Sequence, residues 1–270
     1  MKTILITGAS SGMGYQTAER LAKAGYQVFG AARHVEKMEP LKQFGVTPIV
    51  MDVTDAESRK QGVQQVLKQA GKIDVLVNAA GYGSFGALEN VSETEAKRQF
   101  EVNVFGLVEL TKLVLPSMKQ RQQGEIINIS SMAGRFSSPM AGWYFASKHT
   151  VETLSDSLRM EMKRFGIEVV LIEPGVIKSS WEGIAMKHLQ EASQGTDYAK
   201  QAAEMKQKMD KIYASKLASQ PVLIAKTIQK AIASRHPKAR YLIGFMAKPT
   251  VWMNAILPTW LMDKIIPKFM

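Results

Sequence analysis

Ser131, Tyr144 and Lys148 are the residues whose types and spacing suit one piece of chemistry, moving a proton to or from an oxygen. Tyr144 and Lys148 stand four apart in a segment with apolar residues at Phe145, Val151, Leu154, Leu158 and Met162, which predicts a helix over 143–165. That spacing puts both side chains on one helix face. A phenol titrates near ~10 and is a poor base at neutral pH until a fixed cation stabilises the phenolate. The Lys148 ammonium, one turn away, is that cation, so the expectation is a Tyr144 pKa lowered by Lys148. Ser131 follows the apolar run Glu125–Ile129, which predicts a buried strand. A strand end and a helix start can meet at one sheet edge, bringing the Ser131 and Tyr144 hydroxyls together. Ser130 is the neighbouring competitor for the serine role.

The elements that must position these groups alternate along the chain. Apolar strands are predicted at 2–7, 27–32, 47–51, 73–77, 125–129, 167–172 and 240–244, with helical patterns between them. The longest of these helices runs over 93–118, and Asp55 is placed to cap another that ends near Gln69. Such alternation argues for one α/β domain with a parallel, doubly wound sheet and helices on both faces. After Pro174 the pattern loosens: 182–216 reads as mobile surface helices, and 221–233 as a well-formed helix.

Ligands of open α/β sheets sit beyond the carboxyl ends of the strands. There, between the first strand and first helix, stands Gly8-Ala9-Ser10-Ser11-Gly12-Met13-Gly14. Glycine lets backbone approach a pyrophosphate that helix N–H groups then hold. The second strand ends at Ala32 with Arg33 next and no acidic residue at the place where one would bond a ribose 2′-hydroxyl. A guanidinium suits a 2′-phosphate, so the cofactor expected is NADP(H) rather than NAD(H). An ordinary loop arginine is the plainer reading of Arg33.

Together these residues closely resemble the short-chain dehydrogenase/reductase family. The matches are Thr7–Gly14, Asp52-Val53, Asn78–Gly81, Asn103, Ser131, Tyr144 with Lys148, and Pro174-Gly175, in the family's order over about 180 residues. The stretch from Ile172 to Trp181 looks like the branch containing hydroxysteroid and retinol dehydrogenases. Ala79 and Ser179 depart mildly from the family pattern. The resemblance implies a three-layer Rossmann-type fold, with 1–175 as cofactor-binding and catalytic core and 176–270 as substrate lid and tail. It implies that Tyr144 is general acid/base, that Ser131 orients the substrate oxygen, and that Lys148 also binds the nicotinamide ribose. Asn103 would join Lys148 in a water-mediated proton relay, or else serve as a satisfied core asparagine. Asp52 and Val53 would hold the adenine, Asp52 with a competing role in capping. Asn78, Ala79, Ala80 and Gly81 would wall the ribose and pyrophosphate, Asn78 with the alternative role of stabilising the end of its strand. Pro174, Gly175, Val176, Ile177 and Ser179 would frame the nicotinamide. A dimer or tetramer follows by the same analogy.

Substrate walls are expected from 82–85, 135–143 and the lid at 181–186, with Gly83, Phe136, Met140, Trp143 and Trp181 making an apolar pocket for a ketone, aldehyde or secondary alcohol. The net charge of +11 comes from scattered cations without a basic stripe, which argues against nucleic acid. With no cysteine and four dispersed histidines, no metal site is expected. The opening residues read as a strand rather than a secretory leader, and no apolar run reaches the ~18 residues of a membrane span, so a cytoplasmic location is expected. The tail over 248–270 mixes tryptophans, lysines and prolines, which suits packing on the domain or a partner subunit, or contact with a membrane surface. An alternative to the enzyme is a non-catalytic NADP(H)-binding sensor of the same fold.

Overall fold

The computed structural model describes residues 1–179 and 181–269; Ser180 and Met270 lie outside them. Strand β1 (Thr3–Thr7) buries all five residues and turns Ile4 and Ile6 to one face and Leu5 to the other, the alternation that a sheet covered on both sides requires. Around it the chain winds α1 (Gly12–Lys23), β2 (Gln27–Ala32), β3 (Thr47–Val50), α2 (Ala56–Ala70) and β4 (Val75–Asn78). There follow α3 (Glu93–Phe100), α4 (Gly106–Gln120), β5 (Gly124–Ile129), α5 (Gly142–Met162) and β6 (Ile167–Pro174). The remainder is α6 (Trp181–Ser193), α7 (Ala199–Ala214), α8 (Pro221–Ala233), β7 (Arg240–Ile243), α9 (Ala247–Ile256) and α10 (Thr259–Phe269). The seven strands pair in parallel in the order β3-β2-β1-β4-β5-β6-β7. Strand order reverses between β1 and β4, which opens a crevice at their carboxyl ends.

Two apolar layers hold this sheet. Ala18 and Leu21 of α1 meet Ile224 and Ile228 of α8 over one face, with Ile4, Ile6 and Val28 beneath. Val63 and Val66 of α2, Leu110 and Val114 of α4 and Met162 of α5 cover the other face over Leu5 and Leu76. Asp55 caps α2, its side chain accepting from the Ser58 N–H at 2.6 Å.

Two expectations are corrected. The helix predicted over 93–118 widens into a π-helical turn at Glu101–Phe105 between α3 and α4. A Cβ on Gly106 would stand 2.7 Å from the Val53 carbonyl, so this helix lies against the β3–α2 loop, and the wide turn directs Asn103 inward. The segment read as surface helices at 182–216 instead closes a third core. Met186 and Leu189 of α6, Met205 and Met209 of α7, and Met262 and Ile266 of α10 are buried together above the sheet's carboxyl edge. Helical period alone could not reveal this, because methionine and alanine suit both surface and core. Among the described residues no helix is long and apolar enough to cross a membrane.

Candidate active site

The β1–α1 turn is built for a close approach. Gly8 has φ +66°, and a Cβ there would stand 2.8 Å from the Ala79 carbonyl; a Cβ on Gly14 would overlap the Gly8 carbonyl itself. The Thr7 hydroxyl accepts from the Ala79 and Ala80 amides at 3.0 Å each, tying the end of β4 beside the turn. No acidic residue stands in the first turn of α1, so its N-terminal dipole is uncompensated by the helix itself.

Gly8, Ser10, Ser11, Gly12, Met13 and Gly14 line a cleft of about 380 Å³, with Arg33, Asp52, Val53, Ala79, Ala80, Gly81 and Ser179 on its other walls. Burial tends to raise the Asp52 pKa, but hydrogen bonds from the Thr54 amide and hydroxyl (2.9 and 2.7 Å) and the charges of Arg33 and Arg98 outweigh it and hold the carboxyl low. Asp52 is therefore both a local capping group and an anionic wall. Arg98, on α3, is a second cation of this cleft that the sequence pattern does not announce: it sits in a helix of ordinary charged residues, and only the fold turns it toward Arg33. Asn78 does not reach the cleft. Its side chain is buried, donating to Thr111 Oγ1 at 3.1 Å and Asn128 Oδ1 at 2.9 Å, so it locks β4 to β5 and α4 instead of walling a ribose.

The cleft runs past Gly81, Ser179 and Trp181 into a second cavity of about 280 Å³. Here Ser131, at the end of β5, and Tyr144 and Lys148, on α5, come together with Pro174, Gly175, Val176 and Ile177 after β6. The Ser131 hydroxyl stands near enough to the Tyr144 phenol to lower its pKa, and accepts from the Ala133 amide at 3.1 Å. The expected lowering of the phenol by Lys148 is not what the structure gives. Burial pushes Tyr144 up to about 12, the Ser131 hydroxyl being the opposing influence. The Lys148 Nζ lies 6.0 Å from the phenol ring centre and donates to the Ile129 carbonyl at 2.9 Å. Burial brings Lys148 itself down to about 8, against the raising influence of Glu152. Four-residue spacing gave the shared face correctly but not the depth to which that face is buried.

Asn103 clamps the loop after β4. Its Oδ1 accepts from the Tyr82 N–H at 3.0 Å, while Nδ2 donates to the Tyr82 carbonyl (2.9 Å) and Ser147 Oγ (3.1 Å). Phe136 and Trp181 line the cavity. Gly83, Met140 and Trp143 stand behind its wall: the Trp181 ring covers Gly83, Met140 is buried with φ +61° and its carbonyl accepts from the Gly86 N–H, and Trp143 packs edge-on against Phe100 at 6.2 Å. Residues from the far end of the chain replace them, among them Met209, Ile212 and Tyr213 of α7, Phe245 after β7, Thr250 and Met253 of α9, and Ile266 of α10. Nothing in their local pattern marks them, because they meet the site only through tertiary packing.

Behind Lys148 lies a buried ionic cluster, also silent in sequence. Glu152 follows Lys148 by one turn of α5, and Arg240 Nε stands 3.2 Å from both Glu152 and Glu173 while its other nitrogen pairs with Asp156. Arg135 meets Glu173 at 3.1 Å. Among the described residues no group of histidine, aspartate or glutamate could hold a metal ion.

A glycine turn under a helix N-terminus, opening into a cavity with a buried phenol and ammonium, is what a dinucleotide-dependent oxidoreductase of the doubly wound class needs. Comparison with known proteins narrows the class. Residues 2–189 match the family model described as short chain dehydrogenase. The chain is 36% identical to a 3-ketodihydrosphingosine reductase of Bacteroides thetaiotaomicron over 93% of its length and 92% of the relative's. It is 36% identical to an NADPH-dependent 3-dehydrocapnine reductase of Ornithobacterium rhinotracheale, over 99% and 97%. A short-chain dehydrogenase from Streptomyces avermitilis superposes with a TM-score of 0.80 at 31% identity, covering 98% of this chain and 93% of that one. The chain belongs to the short-chain dehydrogenase/reductase family, oxidoreductases acting on CH–OH donors.

Proposed function

We propose that this protein is an NADPH-dependent carbonyl reductase for hydrophobic ketones or aldehydes, with Tyr144 as the proton donor. The observation that carries the reading is the convergence of Ser131, Tyr144 and Lys148 in one apolar cavity that opens off the glycine-lined cleft. A phenol that carries its proton at neutral pH can serve as the acid of the reductive direction. The two relatives named reductases agree with that direction.

When bound, NADPH supplies the hydride. The residues fit it: the glycine turn clears space that any Cβ would fill, the α1 N-terminus faces the pyrophosphate position, and Arg33 and Arg98 supply cations for a 2′-phosphate. Ser179 and the 174–177 segment bound the passage where the nicotinamide would lie. Tyr144 gives its proton to the substrate oxygen while Ser131 donates to that same oxygen, stabilising the charge that develops. Lys148 holds the ribose hydroxyls. Asn103 keeps Gly81 and Tyr82 in place, with one Oδ1 lone pair left for a water-mediated link to the lysine.

The test is oxidation of NADPH, followed at 340 nm, over a panel of long-chain ketones, aldehydes, steroids and quinones, with NADH as comparison. Turnover that favours NADPH supports the proposal; turnover with NADH alone sinks the cofactor assignment. Arg33→Ala should raise KM for NADPH by about 10–100-fold, the worth of a charge-assisted hydrogen bond, and leave KM for NADH nearly unchanged.

Tyr213 should tune specificity. Its phenol lines the cavity, and burial first, with the neighbouring acidic groups Tyr144 and Glu182 after it, opposes its ionisation. As a neutral donor it can bond a polar substituent beside the carbonyl. Tyr213→Phe should weaken KM for α-hydroxy or α-amino ketones about three- to tenfold while leaving simple alkyl ketones unaffected. Equal effects on both classes would remove Tyr213 from this role.

A further inference from the structure

The last two helices, α9 and α10, have opposite faces of opposite character. Inward, Thr250, Met253 and Ile266 line the substrate cavity. Outward, Trp252 is 60% exposed, Ile256 80% and Trp260 61%. Trp252 and Ile256 are one turn apart on α9, and Trp260, Lys264 and Lys268 follow at the same spacing on α10. The Lys264 ammonium sits over the Trp260 ring at 5.2 Å. Large apolar side chains left exposed together along so short a span of chain mark a contact site. Leu217, 60% exposed, also lines the cavity and stands where it meets the surface.

We propose that the outward face of α9 and α10 docks the enzyme on an anionic membrane surface, with the substrate cavity opening beside that contact. Charge decides the occupant. Residues 247–268 carry Lys248, Lys264 and Lys268 against Asp263 alone, on a chain of net charge +11. That excess repels a second copy of the same face and attracts anionic headgroups. Tryptophan with lysine on one side of a short helix is the composition that settles at the headgroup boundary. Neither helix is long enough to span, so the contact is peripheral. A cavity lined by the reverse sides of these helices can then take a lipid-like substrate without its crossing water. The docking does not depend on the reductase reading, since vesicle binding is measured without turnover.

The experiment is co-sedimentation of the full chain with vesicles of phosphatidylcholine alone and of phosphatidylcholine with 30% phosphatidylglycerol, roughly the anionic regime the argument requires. Binding is expected to the anionic vesicles and to be lost in high salt. Lys264→Gln/Lys268→Gln should weaken it by more than tenfold, at about fivefold per lysine. Trp252→Glu/Trp260→Glu should abolish it while leaving turnover of a short, water-soluble ketone and the thermal midpoint unchanged. No binding by the unmodified protein overturns the proposal, as does binding that survives both double substitutions. A stable dimer that Trp252→Glu/Trp260→Glu dissociates, with no vesicle binding, would assign the face to a second copy and overturn it equally.

Discussion

Replacing Tyr144 by phenylalanine should lower carbonyl reduction by about 10²–10⁴-fold while NADPH binding, read by titration of its fluorescence, stays within a factor of two or so. The substitution removes one oxygen from a buried ring and leaves its contacts with Phe85, Phe145 and Trp181 in place, so the cavity keeps its shape. What is lost is the proton and the polar neighbour that Ser131 has in the phenol oxygen. The pH profile separates the residues. Tyr144 stays protonated to about 12, so it sets no limb near neutrality. Lys148 loses its charge as pH rises through about 8, so reduction by the unmodified enzyme should decline there. Glu152→Gln removes the influence that raises Lys148 and should move that decline to lower pH. A Tyr144→Phe enzyme that keeps more than about a tenth of its rate would discredit the phenol as acid. A protein inactive before the substitution on every carbonyl tried, yet tight for NADPH, would favour the sensor.

How much of this was legible beforehand depended on range. Features within one element or one turn were visible: the glycine cluster after β1, the Tyr144–Lys148 spacing, the Asp55 cap, and β–α alternation all rest on periodicity or steric need. Features that need two distant segments were not. Of the two roles open to Asn78, cleft wall or strand-end support, only its hydrogen bonds to Asn128 and Thr111, across the sheet and under α4, decide for the second. Met140 and Trp143 lie between Ser131 and Tyr144 in sequence and still face away, while Tyr213 and Ile266 reach the cavity from far down the chain. The phenol pKa failed for a related reason. Sequence shows which charges neighbour a group along a helix, but desolvation depends on α7, α9 and α10 closing over it, and here burial dominates, with Ser131 rather than the helix neighbour opposing it.

Burial also makes Arg240 a residue whose loss should cost the fold heavily. It binds Glu152 and Asp156 of α5 and Glu173 of β6, with Glu173 only 1% exposed. Arg240→Leu keeps much of the packing volume but strands two buried carboxylates that Arg135 alone cannot balance. Removing one partner of a buried ionic group costs about 3–5 kcal/mol, which in a domain of this size lowers Tm by roughly 10 °C. The loss should depend on pH in a definite direction. Burial, then the charge of Glu173, already pushes Glu152 up to about 7, against the lowering charge of Arg240. A carboxyl raised in the folded state binds a proton that the unfolded chain has released, so its contribution falls as pH rises from the ordinary carboxylate range through about 7. Without Arg240 that window moves higher, and Arg240→Leu should be hurt most at pH 8 and least near pH 5, where the stranded carboxyls take up protons. Glu125, raised to about 7 by its own burial at the start of β5, gives the same slope in both proteins and cancels in their difference. Glu152→Gln in the Arg240→Leu background should recover part of the stability at pH 8. A loss independent of pH, with no recovery, would mean that Arg240 acts through packing alone.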